Sequence, residues 1–352
     1  MYKLENKIAI GCLVQFYEID IVKDYLLSVK YSLDEIENKE DVIIDICFNM
    51  NQGLEKVDEK KTSIGKLRDD FNYMLKDVFG WESRFMDCGE NKYNLKLNEH
   101  TDGIYTIADY RREFNDMYCD DVEILMWGES DSLIPRQTFQ VLDYLHNAVK
   151  EETPKYVGFF ATCKMWDDTW KILEHPDFTD KPFTEMDTEN WWSLRYNMTQ
   201  EEMDKINDKT DELDIQQTNN LKFNGCGLVI SSEVVRSGCN IPKSVFFVHE
   251  DTAFMNNCFI HFKGELPQYI FKNLLLVHNR KLPNKRMYIK GQDYSDGDMT
   301  RMRKQQYWFP NADKMSQMNA FNLGKQAYTY TWDDVFKHYE RKNDGSNTQS
   351  NT

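Results

Sequence analysis

Residues 122–135 have the sequence VEILMWGESDSLIP, in which an apolar run ends in two carboxylates separated by one residue. The first half predicts a buried strand, because β-branched and apolar side chains can cover both of its faces. Gly128 lets the chain turn just before Glu129 and Asp131. Pro135 then opens a helix. The stretch therefore predicts a strand, an acidic loop and a helix.

The two acids, Glu129 and Asp131, flank Ser130, and their i, i+2 spacing places both carboxylates on the same side of an extended strand end. Hard oxygen donors in that arrangement suit Mg²⁺ or Mn²⁺, and such a metal can in turn hold a diphosphate. A solvated turn with a helix cap has the same pattern, which arises often by chance in an acidic chain. Both interpretations stay open on these residues alone.

The composition excludes some functions. The chain of 352 residues is long enough for one large α/β domain or two small ones. Its net charge of −16 argues against a generic nucleic-acid coat or a binder of anionic membranes, since such proteins neutralise phosphate. Eight cysteines lack metal-type or disulfide spacing, and no apolar run reaches the roughly 18 to 20 residues of a membrane span. We therefore expect a cytoplasmic protein with reduced thiols.

The N-terminal part begins with a predicted strand over 8–14, a helix over 20–36 and a second strand over 41–49. The turn after the first strand lies at its carboxyl end, where open α/β sheets bind their ligands. This turn contains Gln15, Phe16, Tyr17 and Glu18. Asn49, which ends the second strand, could reach a base or a ribose. An ordinary βα loop is the alternative.

A helix predicted over 105–118 precedes the acidic strand and carries Arg111 and Arg112. An arginine there can offer a bidentate fork to phosphate or can clamp the acids. The alternative is a surface helix whose arginines pair with acids of the same helix.

Three further segments follow the acidic strand. Gly225 and Gly227 form a turn that permits close approach of a substrate to the backbone. Glu250 and Asp251 open a helix, where they could act in proton transfer or simply cap the helix. His278 ends an apolar run, where a histidine is usually a satisfied core or surface residue.

Two less regular regions complete the chain. Residues 165–222 are rich in tryptophan, which suits stacking on a sugar or a base but equally suits a small satellite core. Residues 279–308, which include Arg280 and Lys281, form the basic and aromatic stretch of this acidic protein. They could hold a diphosphate or bind the backbone of a nucleic acid.

In this order, the segments resemble the GT-A class of nucleotide-sugar glycosyltransferases, most nearly the family 2-like group, with its Asp-x-Asp position present as Glu129-Ser130-Asp131. The resemblance covers roughly residues 6–36, 105–150 and 223–285. It implies a Rossmann-like central mixed sheet flanked by helices. It also implies that the turn after the first strand lies beside the nucleotide, that Arg111 or Arg112 approaches the sugar-nucleotide, and that the glycine turn lies beside the donor sugar.

The resemblance also implies a chemistry. Mn²⁺ or Mg²⁺ would be held by Asp131, Glu129 and His278, with Asp131 the favoured ligand because Glu129 stands where the family usually has aspartate. Asp251 corresponds to the catalytic base of inverting members, and Glu250 accompanies it. The donor would be a nucleotide-diphosphate sugar, most readily a UDP-sugar.

We expect a single catalytic domain over 1–340. Its parts are a nucleotide-sugar half over 1–131, an acceptor half over 132–285 with the insertion 165–222, and a basic aromatic extension over 286–340. A disordered tail over 341–352 would follow the domain. The acceptor would be a glycan, another hydroxyl compound, or a hydroxymethylated DNA base bound through residues 279–308, which would make the reaction a DNA modification. A metal-dependent phosphohydrolase and a non-catalytic nucleotide-binding module are the alternatives.

Overall fold

The structure is a computed structural model that describes residues 1–51, 63–80, 92–162, 199–209, 212–218, 225–278 and 308–337. Its strands are β1 (Ile8–Gln15), β2 (Val42–Asn49), β3 (Asn94–His100), β4 (Ile124–Trp127), β5 (Val157–Thr162), β6 (Ile215–Thr218), β7 (Val229–Ser231) and β8 (Gln268–Leu276). Its helices are α1 (Ile19–Asp34), α2 (Ile64–Phe79), α3 (Ile107–Tyr118), α4 (Thr138–Val149), α5 (Gln200–Asn207), α6 (Ser232–Arg236), α7 (Glu250–His261) and α8 (Phe309–Phe321).

The strands form one eight-stranded sheet in the order β3-β2-β1-β4-β7-β5-β8-β6. The four strands β3, β2, β1 and β4 are mutually parallel, which is the Rossmann-like half. Strand β7 runs antiparallel to both of its neighbours, and β6 runs antiparallel to β8. The expected α/β class, a Rossmann-like mixed sheet flanked by helices, is confirmed.

Strand β1 is the centre of the parallel half. It pairs with β2 from Ile8 opposite Val42, and with β4 from Ile8 opposite Ile124. Its side chains are buried on both faces because helices cover each side. At Gly11, a Cβ would lie 2.6 Å from the ring of Phe114, so the missing side chain lets α3 pack directly against the strand.

Several element boundaries differ from the predictions. The helix expected from Pro135 begins at Thr138, because the Pro135 carbonyl accepts a hydrogen bond from the Thr138 amide in a turn. Strands β3 and β6 were not predicted. Residues 163–198, which hold most of the aromatic insertion, and the tail from 338 lie outside the described residues.

The C-terminal part, residues 308–337, packs against the loop that leads into α7. Trp308 and Val335 form a small core with partly buried aromatic rings, including Phe247. Two hydrogen bonds fix the docking: the Ser316 hydroxyl donates to the Val248 carbonyl at 2.6 Å, and the Asn319 amide donates to the Ser244 carbonyl at 2.7 Å. This part of the chain therefore lies beside the start of α7.

Among the described residues, no helix combines the length and the apolar character that crossing a membrane requires.

Candidate active site

A cavity of about 250 Å³ opens at the carboxyl ends of β1, β2 and β4. Its walls come from the loops after these three strands, the loop before α3, and the starts of α7 and α8. The predicted site residues that line it are Gln15, Phe16, Tyr17, Glu18, Asn49, Glu129, Ser130 and Glu250. The fold therefore brings to one cavity several side chains that the sequence predicted to belong to one site.

Side-chain amides connect the loops on the β1 and β2 side of the cavity. The Asn49 Nδ2 donates to Gln15 Oε1 at 3.1 Å and to the Tyr105 carbonyl at 3.1 Å. The backbone amide of Gln15 donates to Glu18 Oε2 at 2.9 Å, which closes the turn after β1. Side-chain amides and aromatic rings therefore border the same cavity.

Arg111 lies behind the cavity and is only 1% exposed. Its Nη1 donates to Glu250 Oε1 at 2.5 Å and its Nη2 donates to Glu129 Oε1 at 2.9 Å. Its guanidinium carbon lies 4.7 Å from the centroid of the Trp127 ring. Burial alone would lower the pKa of Arg111, but the charges of Glu250 and Glu129 outweigh burial and raise it. This cation is therefore held charged between two acids.

The adjacent Arg112 has a different environment. Its Nη2 donates to Asp109 Oδ1 at 2.5 Å, and its Nη1 donates to the carbonyls of Pro242 and Val245. The structure thus brings Arg111 to the predicted acids and directs Arg112 to the loop before α7. The sequence could not choose between them.

Glu129 joins Arg111 to His278. One carboxylate oxygen bonds Arg111, and the other lies 2.7 Å from His278 Nε2. The two residues are 149 positions apart and meet because Leu133, after β4, pairs with Val277, after β8. Two of the three predicted metal ligands are therefore adjacent.

The third predicted ligand, Asp131, is buried, with 3% of its surface exposed. In the part of the chain that the structure describes, the group of side chains suited to a metal ion is Glu129, Cys226 and His278, whose donor atoms all lie within 4.8 Å of one another. Carboxylate, thiolate and imidazole are all ligands of divalent cations, so these residues fit such an ion.

Glu250 and Asp251 form the first turn of α7, after His249 in a left-handed conformation with φ 69°. Burial raises the pKa of Glu250 to about 7, against the opposing charge of Arg111 and with a further contribution from the charge of Asp251. A carboxylic acid with a pKa near neutrality is a common feature of sites that move protons.

Asp251 is partly exposed and is held by backbone amides. Its Oδ2 accepts from the Gly225 amide at 3.1 Å, and its Oδ1 accepts from the Thr252 amide at 2.6 Å. At Gly225, a Cβ would lie 2.4 Å from Arg111 Nη1 and 3.1 Å from Asp251 Cβ. Glycine at 225 is therefore what lets α3 and α7 bring these side chains together.

Gly227 is at the other end of the glycine turn and contributes to packing. Its φ is +74°, and a Cβ there would meet Leu276 Cδ1 at 2.6 Å. Its amide donates to the Trp127 carbonyl at 2.8 Å, which ties the turn to β4. The remaining predicted residues, Arg280 and Lys281, and the basic stretch up to 307 lie outside the described residues.

Some lining residues were missed by the sequence analysis. Phe247, Val248 and Phe309 line the cavity from the C-terminal side, as does Trp308. The only signal in the sequence was the aromatic character around residue 308, which was interpreted as part of a basic stretch. Cys226 lies between the two glycines of the turn, and it was grouped with the reduced thiols because the eight cysteines lack metal-type spacing.

No family model matches this sequence, and no curated protein sequence matches it. Among solved structures, S. aureus TarS is 10% identical with a TM-score of 0.43, over 90% of this chain and 45% of that chain. TarS 1–349 in complex with UDP-GlcNAc is 9% identical with a TM-score of 0.41, over 95% and 71% of the two chains. The complex of TarS 1–349 with UDP is 10% identical with a TM-score of 0.42, over 91% and 75%. This chain spans less than half the length of the first of these structures, and similarities of this size do not assign it to a family.

Proposed function

We propose that this protein is a GT-A glycosyltransferase, which moves a sugar from a nucleotide-diphosphate sugar to an acceptor hydroxyl. The observation that carries the proposal is that buried Arg111 bonds both Glu129 and Glu250, which line a cavity at the carboxyl edge of parallel strands. This edge is where open α/β sheets bind nucleotides. The donor would be a UDP-sugar.

The nucleoside end of the donor would occupy the β1 and β2 side of the cavity. Gln15 and Asn49 supply amide groups, and Phe16, Tyr17 and Tyr105 supply rings. The diphosphate would then lie toward the turn that contains Glu129 and Ser130, both of which line the cavity. The sugar would then lie nearest to the start of α7.

A divalent cation, Mn²⁺ or Mg²⁺, would be held by Glu129, Asp131 and His278. When bound, such an ion would neutralise the charge that develops on the leaving nucleotide diphosphate. Arg111 orients Glu129 through the 2.9 Å bond between Nη2 and Oε1. Its charge also offsets part of the negative charge of the two glutamates.

Asp251 would be the general base. Its carboxylate takes the proton of the acceptor hydroxyl while the hydroxyl oxygen bonds to the anomeric carbon, and the bond from that carbon to the diphosphate oxygen breaks with its electron pair leaving on the diphosphate. Attack from the side opposite the leaving group inverts the anomeric configuration. Glu250 keeps Arg111 in place, so Glu250→Gln is expected to cost less activity than loss of Asp251.

The acceptor would be a glycan or another hydroxyl compound. A hydroxymethylated DNA base bound through residues 279–308 is the second candidate, because that stretch is basic in an otherwise acidic chain. Charge reversal at Arg301, Arg303 and Lys304 separates the two, since it weakens DNA binding and reduces its salt dependence only if DNA is the acceptor.

A nucleotide-release assay tests the function. Wild-type protein and Asp131→Ala are incubated with a panel of UDP-sugars, with and without hydroxyl acceptors, in Mn²⁺ or EDTA. Release of UDP that depends on acceptor and metal, and that is abolished in the variant, supports glycosyl transfer. Release of phosphate, or tight nucleotide binding without any turnover, supports the phosphohydrolase or the binding module instead.

A further inference from the structure

Three potential ligands of a cation come from three separate parts of the sheet. Glu129 follows β4, Cys226 lies in the glycine turn before β7, and His278 follows β8. The carboxylate oxygen, the sulfur and the imidazole nitrogen all lie within 4.8 Å of one another. The three residues are far apart in the sequence, and the sheet order β4-β7-β5-β8 brings them together.

Backbone hydrogen bonds fix each of the three positions. The amides of Leu133 and Val277 each donate to the other's carbonyl, at 2.9 and 3.2 Å, which holds the end of β8 beside the acidic turn. The Gly227 amide donates to the Trp127 carbonyl at 2.8 Å, which holds the glycine turn beside β4. The donor atoms are therefore supported by rigid backbone, as metal sites require.

The burial of the three side chains is uneven. Cys226 is 1% exposed and His278 is 5% exposed, whereas the Glu129 side chain is 25% exposed and borders the cavity. A cation held by all three would thus have its protein ligands on the buried side and would face the cavity on the Glu129 side. Three protein ligands with one side accessible is the pattern of catalytic rather than structural zinc sites.

The chemical types of the three ligand atoms determine which metal ions the site favours. A thiolate is a soft ligand that favours Zn²⁺ and its relatives, whereas Mg²⁺ demands oxygen ligands and keeps much of its water. We propose that Cys226, with Glu129 and His278, forms a binding site for a thiophilic divalent cation of the Zn²⁺ class, in preference to Mg²⁺. Binding converts the Cys226 thiol to a thiolate, and its proton passes to solvent. The site shares Glu129 and His278 with the cation of the proposed function and differs from it in taking Cys226 as a ligand. It does not depend on glycosyl transfer, so the metal preference and the activity are tested separately.

Cobalt substitution tests the site. Protein stripped of metal with a chelator is titrated with Co²⁺ while absorbance is recorded. We expect one equivalent to produce a thiolate-to-cobalt charge-transfer band, with Zn²⁺ displacing Co²⁺ and a large excess of Mg²⁺ failing to do so. Cys226→Ser should abolish the band and weaken Zn²⁺ binding at least tenfold. The control Cys239→Ser changes a cysteine that is equally buried but lies beside Cys258, and it should change neither.

A second measurement does not depend on the folding of a variant. X-ray absorption of the wild-type zinc complex should show one sulfur ligand at about 2.3 Å. Absence of sulfur from the zinc shell, persistence of the cobalt band in Cys226→Ser, or displacement of Co²⁺ by equimolar Mg²⁺ would each overturn the proposal. UDP release measured on the same preparations separates the metal site from the proposed function. A thiolate-to-cobalt band without UDP release refutes only glycosyl transfer. UDP release without the band refutes only the Cys226 site.

Discussion

Replacing Arg111 by methionine keeps a long apolar side chain but removes the cation that Glu250 and Glu129 share. The Glu250 side chain is 8% exposed, so it would be left as a buried carboxylate without its partner. Removing one member of a buried ion pair costs about 3 to 5 kcal/mol of unfolding free energy. Glu129, with 25% of its side chain exposed, adds less than about 1 kcal/mol because solvent screens it.

The unfolding free energy lost in Arg111→Met should depend on pH. Burial already raises the pKa of Glu250 from 4.5 to about 7 in the presence of Arg111, and loss of the cation raises it further. A raised carboxyl pKa means that the folded state binds the proton more tightly than the unfolded state, so stability is lost as pH rises from 4.5 through the folded pKa. In Arg111→Met this loss continues above pH 7. The variant should therefore be more destabilised at pH 8 than at pH 6.

Urea unfolding followed by circular dichroism at both pH values measures this directly. Arg136→Met is the matched control, because Arg136 pairs with Glu35 at the surface, at 2.9 Å, and should lose no more than about 1 kcal/mol. Adding Glu250→Gln to Arg111→Met should recover part of the loss, about 1 to 3 kcal/mol. Equal losses in Arg111→Met and the control at pH 8, or no recovery in the double variant, would refute the assignment of Arg111 as the cation that holds the acids.

Three further predictions concern the start of α7. Gly225→Ala places a methyl group 2.4 Å from a buried guanidinium nitrogen, so it should abolish activity and lower thermal stability. The control Gly65→Ala has open space around it and should do neither. Equal melting temperatures of the two variants would contradict this prediction. Asp251→Asn should lower kcat by about 10² to 10⁴-fold with donor affinity retained, and a loss of only a few-fold would assign the base elsewhere. Burial alone would lower the pKa of His249, but Asp313, at 2.9 Å, outweighs burial and raises it. The pair therefore stabilises the fold while His249 is protonated, and this stabilisation is lost as pH rises through the raised pKa. Asp313→Asn should then destabilise more at pH 6 than at pH 9 in thermal melts, and a pH-independent effect would exclude the pair.

Local patterns predicted the central part of the fold well. Strands β1, β2 and β4 are apolar and buried, and α1 lies within two residues of its expected ends. The edge strands were missed for a physical reason. Strand β3 has the sequence NLKLNEH, in which Leu95 is the one buried residue, and β6 has the sequence IQQT with no buried residue. A strand that is solvated on most of its surface carries little apolar signal, so its pairing is decided by the neighbouring strand.

The candidate site was partly predictable. Acids at strand ends and a glycine turn are visible in sequence, and the fold brings several of them to one cavity. Which of Arg111 and Arg112 faces the acids depends on how α3 packs against the sheet. The sequence alone does not show this for two adjacent residues of one helix. The proximity of Glu129 and Cys226 depends on strand order, so no local sequence pattern could predict it.

The most direct test of the proposed donor site is a crystal structure of Asp251→Asn soaked with an intact UDP-sugar and a divalent cation. We expect the nucleoside between Gln15 and Asn49, the diphosphate at the turn of Glu129 and Ser130, and the anomeric carbon facing position 251. A donor bound outside this cavity, a cavity left empty at saturating donor, or a sugar directed away from the start of α7 would contradict it.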